Sequence, residues 1–231
     1  MGYLSDLAAQ YGTTWYWVPG HEKYSKKISS VPNARMYGTE VWPIPSRGKW
    51  FRRFIAGKGP NGSGAFGYKR QANRTHAGTD CAGRYRDVIV AVADGEIASF
   101  YHFYSGTYAL FVNHGNYVVN YGEVDGNSLT HFNLNTPYIK MRGQKGGLKK
   151  TGLSGSSVKK GQPIAMVGRM ESGSSMLHFE VYSSGHTNQP WRGGADASPP
   201  SRLMNPENFL LAISGQRVPR KETPIATAVC R

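Results

Sequence analysis

Between residues 64 and 183 the apolar positions fall in short runs broken by Gly, Asn and Asp, a rhythm that suits strands rather than helices. Runs at 88–93 and 96–100 flank Asp94-Gly95, a dipeptide that readily supplies the positive φ values of a tight turn, so a hairpin is predicted there. A second hairpin is predicted from the runs at 108–113 and 117–121, which flank His114-Gly115-Asn116. Two further strands follow at 162–167 and 176–182, rich in β-branched and aromatic residues. The fold class expected is therefore mostly β, with an antiparallel β-sheet core.

Outside these runs the texture changes. Residues 1–40 mix Trp15, Tyr16 and Trp17 with turn formers and hold no period, which predicts an N-terminal extension that packs on a partner or on the main domain. One domain over 41–213 follows. It is interrupted at about 127–157 by a Gly-, Lys-, Ser- and Thr-rich stretch too long for a hairpin loop and expected to be an inserted surface excursion. Residues 214–231 form a C-terminal tail, expected to be poorly ordered unless a partner holds it.

Charge narrows the partners. The 231 residues carry 28 Lys and Arg against 14 Asp and Glu, a formal net charge of +14, so the surface attracts polyanions: nucleic acid, acidic phospholipid or bacterial cell wall. Arg52-Arg53 and the 145–160 stretch are its basic clusters, each short enough to be ordinary solvated surface. No zinc-knuckle, helix-turn-helix or RNP-type signature accompanies the charge, which makes nucleic acid the minor reading. No window approaches the roughly 18 apolar residues that cross a bilayer, and the first residues do not read as a secretory signal; a soluble protein is expected. The two cysteines, Cys81 and Cys230, exclude a disulfide framework and a cysteine-based zinc site, and Cys81 reads as a small buried apolar residue.

Two segments carry candidate chemistry. His76-Ala-Gly-Thr-Asp80 places an imidazole and a carboxylate four residues apart, and Leu177-His178-Phe179 puts a second imidazole on an apolar strand. Two His and one Asp suit a catalytic zinc, because imidazole nitrogen and carboxylate oxygen both bind Zn²⁺ and three protein ligands leave a fourth position open. With 7 His in the chain, an H-x-x-x-D spacing by itself is a weak signal, and a hydrogen-bonded core histidine is the ordinary alternative for His178.

The order of the segments adds what the spacing lacks. Trp42-Pro-Ile-Pro45, Gly64-Ala-Phe-Gly-Tyr-Lys69, His76-Ala-Gly-Thr-Asp80, Ala91-Val-Ala-Asp-Gly-Glu96, Phe111-Val-Asn-His-Gly-Asn-Tyr117, Val158-Lys-Lys-Gly-Gln-Pro-Ile164, Met176-Leu-His-Phe-Glu-Val181 and Asn205-Pro206 together resemble the lysostaphin-like zinc endopeptidases, which cut peptide cross-links in bacterial peptidoglycan. The resemblance covers roughly residues 42–210. It implies an antiparallel sheet with a groove, and one zinc ion held at the positions matching His76, Asp80 and His178.

At two catalytic positions the chain departs from that family, which has histidines where this sequence reads Glu123 and Met176. Met176 cannot accept a proton. Glu123 is a carboxylate able to act as general base, as a Glu does in other zinc peptidases, or else an exposed strand-end residue. His102, His131 and His186 are read as structural or solvated, and His114 as part of its turn. Glu180 shares a strand face with His178, either orienting it or forming a surface ion pair.

Two functions are thus expected in competition. One is a zinc-dependent endopeptidase acting on peptidoglycan, with Glu123 in place of a histidine. The other is a non-catalytic, zinc-stabilised module that binds wall or serves a phage particle structurally. A wall-directed domain without an export signal suits a virion-associated or lysis-released protein, its termini contacting other phage structural proteins. The same ligands also accept other divalent ions.

Overall fold

The computed structural model describes residues 40, 42–45, 63–71, 73–193 and 197–214. The expected N-terminal extension before residue 40, Arg52-Arg53, the tail beyond Ser214 and Cys230 lie outside the described residues. Fourteen strands and two helices are described. They run β1 (Lys69–Arg70), β2 (Arg74–Thr75), β3 (Thr79–Ala82), β4 (Val88–Val90), β5 (Gly95–His102), β6 (Tyr108–Asn113), β7 (Val118–Val124), α1 (Ser128–His131), β8 (Tyr138–Lys140), β9 (Lys149–Lys150), β10 (Ser157–Val158), β11 (Pro163–Met166), β12 (Met176–Tyr182), β13 (Trp191–Arg192), β14 (Leu203–Met204) and α2 (Pro206–Ser214).

A nine-stranded sheet dominates, in the order β14-β12-β7-β6-β5-β8-β9, with β3 also pairing β12 and β10 also pairing β5. The protein is mostly β, as its apolar rhythm predicts. Pairing is antiparallel except between β5 and β8, which run parallel. The 127–157 segment contributes α1, β8, β9 and part of β10, so it extends this sheet beyond β5.

The predicted turn at Asp94-Gly95 is corrected. Strands form on both sides of it, but β4 pairs β11 in a two-stranded sheet while β5 pairs β6. Asp94 is occupied elsewhere: its carboxylate accepts from the Lys160 backbone N–H at 2.8 Å and from Lys159 Nζ at 3.1 Å. Gly95 is needed for close approach, since a Cβ there would lie 2.5 Å from the Asn113 carbonyl oxygen. The tight hairpin turn instead joins β5 to β6 through Ser105 and Gly106, both at positive φ (46° and 82°), with Thr107 N–H donating to the Tyr104 carbonyl at 2.9 Å. The β6–β7 hairpin forms as expected, closed by His114 N–H donating to Tyr117 at 2.9 Å.

Alternation along β12 sorts core from site. Leu177, Phe179 and Val181 face one side and are wholly buried with Tyr121, Val119, Leu110 and Ile97. His178, Glu180 and Tyr182 face the other. There Tyr182 joins a second apolar cluster with Phe66, Phe111 and Trp191. Polar chemistry thus sits on a surface backed by a closed hydrophobic layer.

The C-terminal helix packs on the Phe179 side, where Phe209 meets Phe179 and Tyr117, and a buried acid fastens it there. Asn205 Oδ1 accepts from the Glu207 N–H at 2.9 Å and Pro206 starts α2, the arrangement of a capped N-terminus. The Glu207 carboxylate accepts from Phe66 N–H at 2.9 Å and Thr79 Oγ1 at 3.4 Å. Burial pushes its pKa up to about 7, against the pull of those two hydrogen bonds. A carboxyl raised this way stabilises the fold fully below its unfolded value of about 4.5, and that contribution is lost as pH rises through about 7. Glu207→Gln keeps an acceptor without the charge. Its melting temperature is expected to fall less than the wild type's between about pH 5 and pH 8, by an amount equivalent to on the order of 2 kcal/mol. Identical slopes in the two proteins would show Glu207 to be unshifted.

Candidate metal centre

Strand register assembles the centre. In the β3–β12 ladder Asp80 lies directly opposite His178, and on the other side of β12 His178 lies opposite Gly122 of β7. His76 precedes β3 and is pinned by two backbone bonds, its N–H to Tyr68 and its carbonyl from Gly67, both 2.8 Å. Its side chain and that of Asp80 therefore converge on the ring of His178. All three residues are buried.

Three atoms face one another. His76 Nε2 lies 3.0 Å from His178 Nδ1 and 3.1 Å from Asp80 Oδ1, and His178 Nδ1 lies 2.9 Å from Asp80 Oδ1. Every other polar atom of the trio is already held. His76 Nδ1–H donates to the Ala65 carbonyl at 2.8 Å, His178 Nε2–H donates to Glu180 Oε1 at 2.9 Å, and Arg70 Nη2 donates to Asp80 Oδ2 at 3.2 Å. Glu180 is fixed in turn, its Oε2 accepting from Asn120 Nδ2 at 2.6 Å and from Tyr182 OH at 2.9 Å.

This donor set fits zinc. Tetrahedral bonds of about 2.0–2.2 Å set ligand atoms roughly 3.3–3.6 Å apart, so the observed triangle need open by only a few tenths of an ångström. The outer partners are those of a metal-bound histidine: one ring held by a carboxylate, the other by a backbone carbonyl.

Electrostatics agree with the geometry. Burial lowers the His76 pKa despite Asp80 beside it, so the ring is neutral and ready to ligate. Burial alone would raise Asp80, but His76 and His178 outweigh it and hold the carboxyl far below the usual range. Burial likewise opposes charge on His178, yet Glu180 and Asp80 push its pKa up to about 10. Without a metal, the cation that balances the two acids is the imidazolium itself.

Gly78 makes room for this packing. A Cβ there would meet the His178 ring at 2.6 Å and the Phe179 carbonyl oxygen at 2.8 Å, and backbone cannot yield as a flexible side chain would. Gly78→Ala is expected to cost about 1–3 kcal/mol of stability and to weaken metal binding at least ~10-fold by tilting the His178 ring. Thermal melts and a competition titration against a chelator read both. An unchanged affinity would mean the ring tolerates the shift.

The centre opens onto a cavity of about 530 Å³, bordered by His76, His178, Glu180 and Glu123. Glu123 stands on a bulge: Tyr108 pairs Val124 and Leu110 pairs Tyr121, leaving Gly122 and Glu123 opposite Ala109 alone. Its φ of +60° is rare for a side-chain-bearing residue. The side chain is buried, and Oε2 has no hydrogen-bond partner. Burial pushes its pKa up to about 7, with Asp80 adding to the rise and His178 and Arg70 opposing it. The exposed strand-end alternative is thus not what the structure shows.

The other histidines divide. His114 Nδ1 bonds the carbonyl of Asp94, 20 residues away between β4 and β5, at 2.9 Å, the His131 ring packs edge-on against Phe132, and His186 stacks on Tyr138. His102 borders the cavity, at the end of β5. Arg70, Asn120 and Tyr182 are site residues that the sequence reading did not single out. Asn120 had a signal, as the one amide in the apolar 117–121 run; Arg70 and Tyr182 had none beyond strand alternation.

No known family model matches the chain, and no curated protein matches it. Solved structures similar to it include lysostaphin-like peptidases. A zinc-containing peptidase from Vibrio cholerae is 25% identical, with a TM-score of 0.36, over 56% of this chain and 33% of its own. Csd3 from Helicobacter pylori is 22% identical, with a TM-score of 0.37, over 74% of this chain and 32% of its own. The catalytic domain of the antimicrobial peptidase lysostaphin from Staphylococcus simulans is 19% identical, with a TM-score of 0.41, over 63% of this chain and 87% of its own. This chain spans about a third of the length of the first two.

Proposed function

We propose that the chain is a zinc-dependent endopeptidase that hydrolyses peptide cross-links of bacterial peptidoglycan. The observation that carries this reading is the convergence of His76, Asp80 and His178, every outer atom held, on a cavity that also contains a buried, unpartnered carboxylate at Glu123. His76 Nε2, Asp80 Oδ1 and His178 Nδ1 would hold the ion. A bound zinc supplies a Lewis acid that polarises a carbonyl and makes water acidic near neutral pH.

The chain's own groups supply the rest. Glu123 takes the proton as water adds to the scissile carbonyl carbon, and returns it to the departing nitrogen as the C–N bond breaks. Glu180 keeps the His178 ring oriented, and Arg70 holds Asp80 Oδ2 so that Oδ1 stays directed at the histidines. The net charge of +14 draws the protein to an anionic wall. Among the described residues no helix is long and apolar enough to cross a membrane.

Mass spectrometry of purified peptidoglycan after incubation with the zinc-loaded protein tests the proposal. New peptide termini that vanish on chelation and in His178→Ala are expected, and they identify the bond cut. A second reading draws on Met176, which alternation places on the His178 face, where it has no proton to give or take. Stoichiometric zinc with no products across several wall types would favour that reading, a non-catalytic wall-binding module.

A further inference from the structure

Beside the metal centre, three arginines stand in a row. The three-stranded sheet has the order β1-β2-β13, and its register sets Arg70 opposite Arg74 and Arg74 opposite Arg192. Residues paired directly across strands project from the same face, with neighbouring strands about 4.8 Å apart. Three arginines therefore project from one face, their Cα atoms spanning about 10 Å. The opposite face carries Thr75 and Trp191, both buried, and Trp191 packs on Phe66.

Like charges directly opposite one another destabilise a sheet, so an anion bound across such a row relieves the repulsion. Arg70 has one in Asp80, at 3.2 Å. Arg74 and Arg192 are exposed, and among the described residues neither has an ion-pair partner. Both border the cavity of the metal centre, and Lys140 of β8 borders it too. Of the acids there, Glu180 is committed to His178, Asn120 and Tyr182, and Glu123 lies buried. The accessible charge of the cavity is positive.

We infer that Arg74 and Arg192 bind the free C-terminal carboxylate of the substrate beside the scissile bond, so that the cavity selects peptides that end in a carboxylate near the cut. The guanidinium fork matches a planar carboxylate with two parallel hydrogen bonds. Arg70 ties the row to Asp80, so a carboxylate held on Arg74 and Arg192 lies next to the metal ligands. This substrate class rests on the peptidase reading; the carboxylate site itself does not.

Binding is measured on the zinc-loaded full chain carrying Glu123→Gln, so that ligand survives. Three probes are titrated calorimetrically: a tetrapeptide of the stem type with a free C-terminal carboxylate, its C-terminal amide, and glycerol phosphate. The acid is expected to bind at least ~10-fold more tightly than the amide. Arg74→Gln and Arg192→Gln should each remove about 3-fold of that affinity without affecting the amide, and the double variant should bind both peptides alike. Zinc content should be unchanged, and melting temperatures should hold or rise as the like-charge contact is relieved. Equal affinity for acid and amide in the parent, or a preference that survives the double substitution, overturns the inference. Glycerol phosphate binding as tightly as the peptide acid overturns it in favour of a phosphate site. Acid preference without any wall cleavage would leave the inference standing and remove the peptidase reading; cleavage without the preference would do the reverse.

Discussion

His178→Ala is expected to leave purification with less than a tenth of the wild type's zinc, and to bind the ion at least ~100-fold more weakly. The loss exceeds that of one ligand, because His178 is the hinge of the centre. Its Nδ1 faces His76 and Asp80, while its Nε2 holds Glu180. Removing the ring leaves two buried carboxylates, Asp80 and Glu180, facing space that a cation had filled. Breaking a buried pair from one side costs about 3–5 kcal/mol, so the variant should also melt earlier. His178→Gln provides a folded comparison: its amide can still donate to Glu180, yet it lacks the imidazole. Full zinc in either variant, by metal analysis of purified protein, would contradict the ligand assignment. The wild type offers an independent check, because the His178 pKa of about 10 means the metal-free ring carries two protons at pH 7. Zinc binding should release about one proton there, and apparent affinity should rise roughly tenfold per pH unit until pH nears 10. Calorimetry in buffers of different ionisation enthalpy counts the proton.

How much of this was legible in the sequence differs from residue to residue. The strands around Leu110, Val119 and Phe179 were readable, since alternation and β-branching are local properties. The partner of each strand was not. Asp94-Gly95 read as a hairpin because its φ preference is local, whereas the carboxylate's bond to Lys160 and the approach of Gly95 to Asn113 are set by chain far away. Ser105-Gly106 makes the tight turn instead. His76 and Asp80 announced themselves as a spacing, and His178 through an ordered series of segments. That Asp80 lies across from His178 is a matter of register between strands 98 residues apart. The arginine row is less legible still, since β13 joins β1 and β2 only in the folded sheet. Glu123 could be named as a carboxylate in a suggestive place, but the bulge that buries it follows from a mismatch between two strands.

That bulge makes Glu123→Gln the most informative substitution at the reaction itself. The variant should retain zinc, because Glu123 touches none of the three converging atoms, and its peptide hydrolysis should fall about 10²- to 10⁴-fold. In the wild type, activity should decline as pH drops through about 7, where the raised carboxyl takes up its proton and ceases to be a base. Stability should move the other way. A carboxyl whose pKa is raised on folding weakens the fold once it ionises, so the wild type loses stability as pH climbs through about 7. Glu123→Gln cannot ionise and should therefore melt higher than the wild type at about pH 8, while the two converge near pH 5. A residue kept only for structure would not show this opposition of a stability gain and an activity loss. Its burial without a partner and its positive φ are both unfavourable to folding, and both place a carboxylate in the cavity that the metal triad faces. Full cleavage by the variant, or a wild-type rate that is flat from about pH 5 to pH 8, would remove Glu123 from the role of base.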